Sequence, residues 1–95
     1  MKSQVKPYRL DISKKTKHRL RQAPKRIATE ISEAILDLRF DPYPVNSKEL
    51  GRELAGWRSL RIDGWRVIYA VNEADKIVKV LAVRPRDAQT YLDFP

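Results

Sequence analysis

Arg61 and Arg66 flank an Asp63-Gly64 pair in the run Leu60-Arg61-Ile62-Asp63-Gly64-Trp65-Arg66-Val67-Ile68-Tyr69. A guanidinium is planar, permanently charged and shaped to grip phosphate oxygens in pairs. Mounted on a rigid base, such groups suit the holding of a phosphate. The base is written in the same run. Asp-Gly between two β-type segments is a hairpin signal, because a type I′ turn needs positive φ at both central residues. A structural role competes for Arg66, as the partner of a carboxylate such as Asp63. Other chemistries are closed off. The single histidine, His18, excludes a histidine-pair ribonuclease and reads as an exposed bystander on a basic helix. The chain has no cysteine, and its Asp and Glu show no metal-ligand spacing, so neither a metal nor another cofactor is expected.

The elements that must carry these residues follow from periodicity. Tyr8, Leu10 and Ile12 alternate with Arg9 and Asp11, which predicts a strand with one buried side. Pro7 lacks a backbone donor and places this strand at an edge or delays its start to about Tyr8. Ser13 is suited to N-cap a first helix through about Gln22, whose apolar face (Thr16, Leu20, Ala23) is thin. Pro24 suits the first turn of a second helix. There Ile27, Ile31, Ala34, Ile35 and Leu38 form an amphipathic stripe through about Phe40, and Asp41-Pro42-Tyr43-Pro44 ends it. Residues 45–56 read as loop with some strand. Trp57 to Ile62 and Trp65 to Val71 form the hairpin. Ile77 to Val83 is apolar on both faces, with Ile77, Leu81 and Val83 on one and Val78, Val80 and Ala82 on the other, as in a central strand. Arg84 to Pro95 reads as loop, with a helical turn at Tyr91. The order β-α-α-β-β-β predicts an α+β fold: a small, antiparallel-dominated twisted sheet with the helix pair on one face.

Composition sets the outer bounds. The 95 residues suit one domain spanning 1–95, and 42% hydrophobic content suits a globule. Net charge is +8, and ten of the 20 Lys and Arg fall in residues 1–26 against Asp11 alone. That asymmetry points to a polyanionic or acidic partner, the bland alternative being a solvated basic helix. No apolar run approaches the roughly 20 residues of a membrane span. The charged N-terminus lacks a signal core, so a cytoplasmic protein without membrane contact is expected.

These features together resemble the RelE/ParE superfamily of type II toxins. The resemblance runs over nearly the whole chain: the Tyr8-led strand, the helix pair, Asp41-Pro42, Lys48-Glu49-Leu50, the Leu60–Tyr69 hairpin, and a terminal Arg86 with Tyr91. It implies a small toxin neutralised by a cognate antitoxin. One branch cleaves messenger RNA, typically on the ribosome and without a metal; the other poisons DNA gyrase. Fold does not choose between them.

The resemblance also implies roles. Arg66 matches a phosphate-stabilising strand arginine. Arg86 matches a terminal arginine that binds phosphate or acts as general acid, and Tyr91 matches a tyrosine that orients or deprotonates the 2′-hydroxyl. A solvated loop charge is the plain alternative for Arg86, as hydrophobic anchoring is for Tyr91. A tyrosine of ordinary pKa, about 10, is a poor base unless cations lower it. Cleaving relatives carry lysines on the strand before the turn. This chain has Arg58 and Arg61 there, with Arg61 expected at the inner position. Arginine does not readily give up a proton, which leaves base duty to Tyr91 or to Glu49, Glu53 or Asp87. The expected catalytic set is Arg61, Arg66, Arg86 and Tyr91. Lys48, Arg58 and the first-helix residues Lys14, Lys15 and Lys17 are expected to contact RNA phosphates. Trp57, Trp65 and Tyr69 are expected to pack rather than stack on bases.

Overall fold

The structure is a computed structural model that describes residues 6–51 and 56–85. The chain runs β1 (Arg9–Ile12), α1 (Lys14–Gln22), α2 (Lys25–Asp37), β2 (Ser47–Glu49), β3 (Trp57–Ile62), β4 (Trp65–Asn72) and β5 (Ile77–Pro85). The strands form one sheet in the order β1-β5-β4-β3-β2. β1 pairs with β5 in parallel and every other pairing is antiparallel. The α+β class with the helix pair on one sheet face stands, but the order gains a strand. β2 is too short and too polar to announce itself by periodicity; its place is fixed by pairing with β3 (Lys48 opposite Ser59).

Local chemistry explains the boundaries. The Ser13 side chain accepts a hydrogen bond from the Thr16 amide (3.1 Å) and caps α1. Ala23 and Pro24 stop α1, and Pro24 itself sits just before α2 as its N-cap rather than inside its first turn. α2 ends at Asp37, and residues 38–40 continue as tight turns (Arg39 N to Leu36 O, 3.2 Å; Phe40 N to Asp37 O, 3.0 Å), which shortens the expected helix. The Asp41 carboxylate then accepts from the Tyr43 amide (3.0 Å), an Asx turn that redirects the chain. Asp63 (φ 43°) and Gly64 (φ 82°) both take positive φ, as the hairpin turn demands. β1 starts at Arg9, beyond Pro7, and lies at the sheet edge.

The core lies between α2 and one face of the sheet. Ile27, Ile31, Ile35 and Leu38 pack against Leu60, Val67, Tyr69, Val78, Val80 and Val83. Each such side chain, fully removed from water, contributes about 1.5–3 kcal/mol. The Tyr69 hydroxyl reaches through this core to donate to the Pro42 carbonyl (2.7 Å), pinning the Asp41–Pro44 turn beneath the sheet. Thr16 is buried and Leu20 and Ala23 are half-buried, so the thin face of α1 does lean on the rest of the fold.

A bulge corrects the expected faces of β5. Tyr69 is opposite Val80 but Ile68 is opposite Ala82, which leaves Leu81 as an extra residue. The alternation therefore shifts by one, and Val83 joins Val78 and Val80 in the core instead of facing away with Ile77 and Leu81.

Candidate functional site

The sheet face turned away from the helices collects the basic residues. Directly opposite residues on neighbouring strands share a face. The register places Arg61 of β3 opposite Arg66 of β4, and Arg66 opposite Arg84 of β5. Three arginines thus form one row across three strands. The next row is Lys48, Ser59, Ile68 and Ala82. Like charges directly opposite one another destabilise a sheet by up to about 1 kcal/mol per pair. Three guanidinium groups in one row concentrate positive charge on this face.

A pocket of about 180 Å³ opens at the Arg61–Arg66 side of this row. Lys48, Ser59, Arg61 and Arg66 line it, with Val45, Asn46 and Ser47 forming its wall. None of these is a carboxylate. Asn46 holds the wall in place by donating from Nδ2 to the Arg61 carbonyl (2.9 Å), while the Arg61 amide donates to the Asn46 carbonyl (2.9 Å). Arg66 is 8% exposed and Ser59 is 2% exposed, so the pocket floor is desolvated. Electrostatic attraction in such a place is stronger than in water. The Asp63 carboxylate, a candidate partner for Arg66 on sequence grounds, is held by Arg26 (3.3 Å), which also holds Glu30 (2.8 Å).

At the other end of the row, β1 stops opposite Val80 and leaves β5 beyond it beside α1. There a groove of about 290 Å³ is lined by Lys15, His18, Arg19 and Arg84, together with Thr16, Gln22 and Leu81–Val83. The arginine row is thereby continued onto the basic helix. Lys14 and Lys17 are exposed on the same helix. Three lysines in a first helical turn oppose the helix dipole, a local expense that an anion would relieve. His18 is exposed, as expected of a bystander, but it stands on this groove.

The expected residues therefore divide. Arg61, Arg66 and Lys48 come together at the pocket. Lys14, Lys15 and Lys17 sit on α1, with Lys15 on the neighbouring groove. Arg58 is elsewhere: it is opposite Tyr69 on the helix side, its Nη2 donates to Ser47 Oγ (3.0 Å), and its guanidinium lies 5.0 Å from the centre of the Tyr43 ring. It is engaged in packing, not displayed to a ligand on the arginine face. Glu49 is opposite Arg58 and accepts from the Gly56 amide (3.3 Å), also away from the row. Trp65 and Tyr69 pack on the core side, while Trp57, opposite Ala70, lies on the arginine side. Arg86 and Tyr91, with Glu53 and Asp87, lie outside the described residues. Two pocket-face residues escaped the sequence reading. Arg84 falls past the apolar run that marks β5 in the sequence, yet the strand continues to Pro85, and the bulge turns Arg84 onto this face. Ser59 carries no signal except its two-residue spacing from Arg61.

A second polar cluster ties three loops together on the far side of the molecule. The Glu73 carboxylate accepts from Tyr8 (2.7 Å), from Tyr43 and from Lys76 (3.2 Å). The Tyr43 hydrogen bond, then those from Tyr8 and Lys76, hold the Glu73 carboxyl down at about 2. Burial, and then the Glu73 hydrogen bond, push the Tyr43 hydroxyl up to about 12. Among the described residues no group of three or more His, Cys, Asp or Glu side chains is placed to hold a metal ion, and no helix is long and apolar enough to cross a membrane.

Comparison with known proteins gives this geometry a context. A family model described as the ParE toxin of the type II toxin–antitoxin system parDE matches residues 3–89. Among solved structures, the chain is similar to one in the RelBE2 toxin–antitoxin complex from Mycobacterium tuberculosis: 29% identity, TM-score 0.76, covering 90% of this chain and 98% of that one. It is similar to one in the archaeal RelE–RelB complex from Pyrococcus horikoshii at 30% identity and TM-score 0.77, covering 86% of this chain and 98% of that one. A free Escherichia coli RelE toxin, in a form with two arginines replaced by alanine, shares the fold at 20% identity and TM-score 0.70, covering 92% and 93%. No curated protein matches.

Proposed function

Because this chain belongs to the RelE/ParE family of type II toxin–antitoxin toxins, we propose that it is an endoribonuclease that cleaves messenger RNA on the ribosome and is silenced by a cognate antitoxin. The observation that carries the reading is the cross-strand row Arg61–Arg66–Arg84 beside a pocket that no carboxylate lines among the described residues. In such cleavage the 2′-oxygen attacks the adjacent phosphorus, the bond to the 5′-oxygen breaks, and a 2′,3′-cyclic phosphate and a 5′-hydroxyl are left. The phosphorane passed on the way carries extra negative charge. Preorganised guanidinium groups on strands stabilise that charge without reorganising at the moment of reaction. Arg61 and Arg66 take this part, with Lys48 on a flanking phosphate. Tyr91, as its phenolate, is proposed to receive the 2′-proton, and Arg86 to hydrogen-bond the departing 5′-oxygen while a water molecule supplies its proton. No metal or cofactor enters the scheme.

The line of basic residues from Arg61 through Arg84 to Lys15 and Arg19 of α1 supports a long polyanion, as messenger and ribosomal RNA are. The antitoxin proposal rests on the two RelE–RelB relatives, each seen in a toxin–antitoxin complex. The test is incubation of the purified protein with translating ribosomes and mapping of transcript ends. Cuts within translated frames, lost in Arg66→Gln, are expected. Whole transcripts together with blocked gyrase supercoiling would replace this reading with the gyrase-directed one.

A further inference from the structure

We propose that Ser59 is a substrate-positioning residue whose buried hydroxyl donates a hydrogen bond to a phosphate oxygen seated among Lys48, Arg61 and Arg66. The inference rests on the reading of this face as an RNA site and adds a group to it. Ser59 is 2% exposed, and its Oγ has no hydrogen-bond partner among the described residues. An unsatisfied buried hydroxyl is unfavourable, and a native fold keeps few of them. Its surroundings say what would satisfy it. Ser59 lies between Lys48 and Ile68 on the neighbouring strands, and Ile68 is fully buried and offers no polar side-chain atom. Lysine and arginine side chains are donors only. The hydroxyl proton therefore has no side-chain acceptor within its own row, and among the described residues the pocket is lined by three cations and no carboxylate.

A ligand that completes this pocket must accept several hydrogen bonds at once and carry negative charge. A phosphate does both, taking guanidinium and ammonium donors on some oxygens and the serine hydroxyl on another. The hydroxyl also fixes direction. The cations are attached by long, flexible stems, whereas Ser59 Oγ is held close against a strand backbone in mid-sheet. The other serine of the pocket, Ser47, already donates its hydroxyl to the Pro44 carbonyl (2.8 Å), which leaves Ser59 as the short donor suited to setting where the phosphate comes to rest.

The test follows the full-length chain by backbone amide resonances while inorganic phosphate replaces chloride at constant ionic strength. Saturable shifts centred on Lys48, Ser59, Arg61 and Arg66 are expected. Ser59→Ala should weaken phosphate binding about tenfold, the size of one hydrogen bond to a charged acceptor. Its Tm should not fall, since an unsatisfied group is removed. Ser59→Thr, which keeps the hydroxyl, should retain more of the affinity than Ser59→Ala. On ribosomes, Ser59→Ala should raise KM more than it lowers kcat. Phosphate affinity equal to wild type in Ser59→Ala, or shifts confined to α1, would overturn the proposal. If phosphate binding depends on Ser59 but transcripts stay whole, the nuclease reading falls and the Ser59 site stands. If transcripts are cut with the same KM in Ser59→Ala, the nuclease reading stands and the Ser59 proposal falls.

Discussion

The two faces of the sheet are made from the same strands and obey opposite rules. On the helix side, Val67 and Tyr69 alternate into a layer closed by Ile27, Ile31, Ile35 and Leu38, and the buried Tyr69 hydroxyl has found its acceptor. On the other side, one residue out of phase, Arg66 lies between two further arginines, and the buried Ser59 hydroxyl has found no partner among the described residues. On the first face periodicity and packing agree, and one buried polar atom, Arg58 Nε, has no hydrogen-bond partner among the described residues. The second breaks the pairing rule and the satisfaction rule within a few residues. A row of like charges beside a buried hydroxyl is an arrangement that an anion would complete. The difference teaches that the candidate site is marked by like charge gathered in one row, where the helix side gathers aliphatic groups.

The comparison can be broken or sharpened by substitution. Ile31→Ala, at a position with no exposure, should destabilise by about 2–5 kcal/mol in chemical unfolding. Arg66→Gln should lower transcript cleavage by about 10²–10³, the effect of removing one preorganised charge-stabilising donor. Its thermal stability should change far less than that of Ile31→Ala; an equal collapse would make Arg66 a structural residue and erase the contrast. Tyr69→Phe leaves the core filled but strands the Pro42 carbonyl, and should cost about 1–3 kcal/mol. Arg61→Gln removes an exposed charge directly opposite Arg66 and should raise stability by at most about 1 kcal/mol while weakening RNA binding, a sign reversal unavailable on the core face.

The smallest effect concerns the Glu73 cluster, which belongs to neither face. The carboxyl is held at about 2, below its ordinary 4.5. A depressed carboxyl stabilises the fold above its unfolded pKa and loses that contribution as pH falls through the folded one. Glu73→Gln should therefore melt below wild type at neutral pH, with the gap closing between about pH 4.5 and about pH 2. Because the group is exposed, the shift should be slight. Tyr43 has the opposite sign: its hydroxyl, held near 12, supports the fold below pH 10 and ceases to do so as pH rises through 12.

Much of the core face was legible because its signals are local and repeated. The α2 stripe at Ile27, Ile31, Ala34, Ile35 and Leu38, the Ser13 cap and the Asp63-Gly64 turn each need only a few residues to be read. What escaped depends on pairing. β2 is three polar residues whose strand character exists only beside β3. The bulge at Leu81 is a property of two strands together, and missing it misplaced Val83; Arg84 falls past the apolar run that marks β5. Arg58 and Arg61 look equivalent in a list of charges, but three positions apart on a strand they fall on opposite faces. Arg58 then drops out of the site because Tyr43 and Ser47, brought in by the Asp41–Pro44 turn, hold it.

The parallel pairing of β1 with β5 has a consequence for how the protein comes into being. β5 lies inside the sheet, between β1 and β4, yet it follows β1, β2, β3 and β4 in synthesis. While the chain is being made, β1 waits with an open edge and Arg84 does not yet exist beside Arg66. Pairings this distant along the chain are slow to form, because loop closure must precede the contacts that reward it. Until β5 has been made and has docked, the arginine row is incomplete, and that interval is when a partner could meet the exposed edge first.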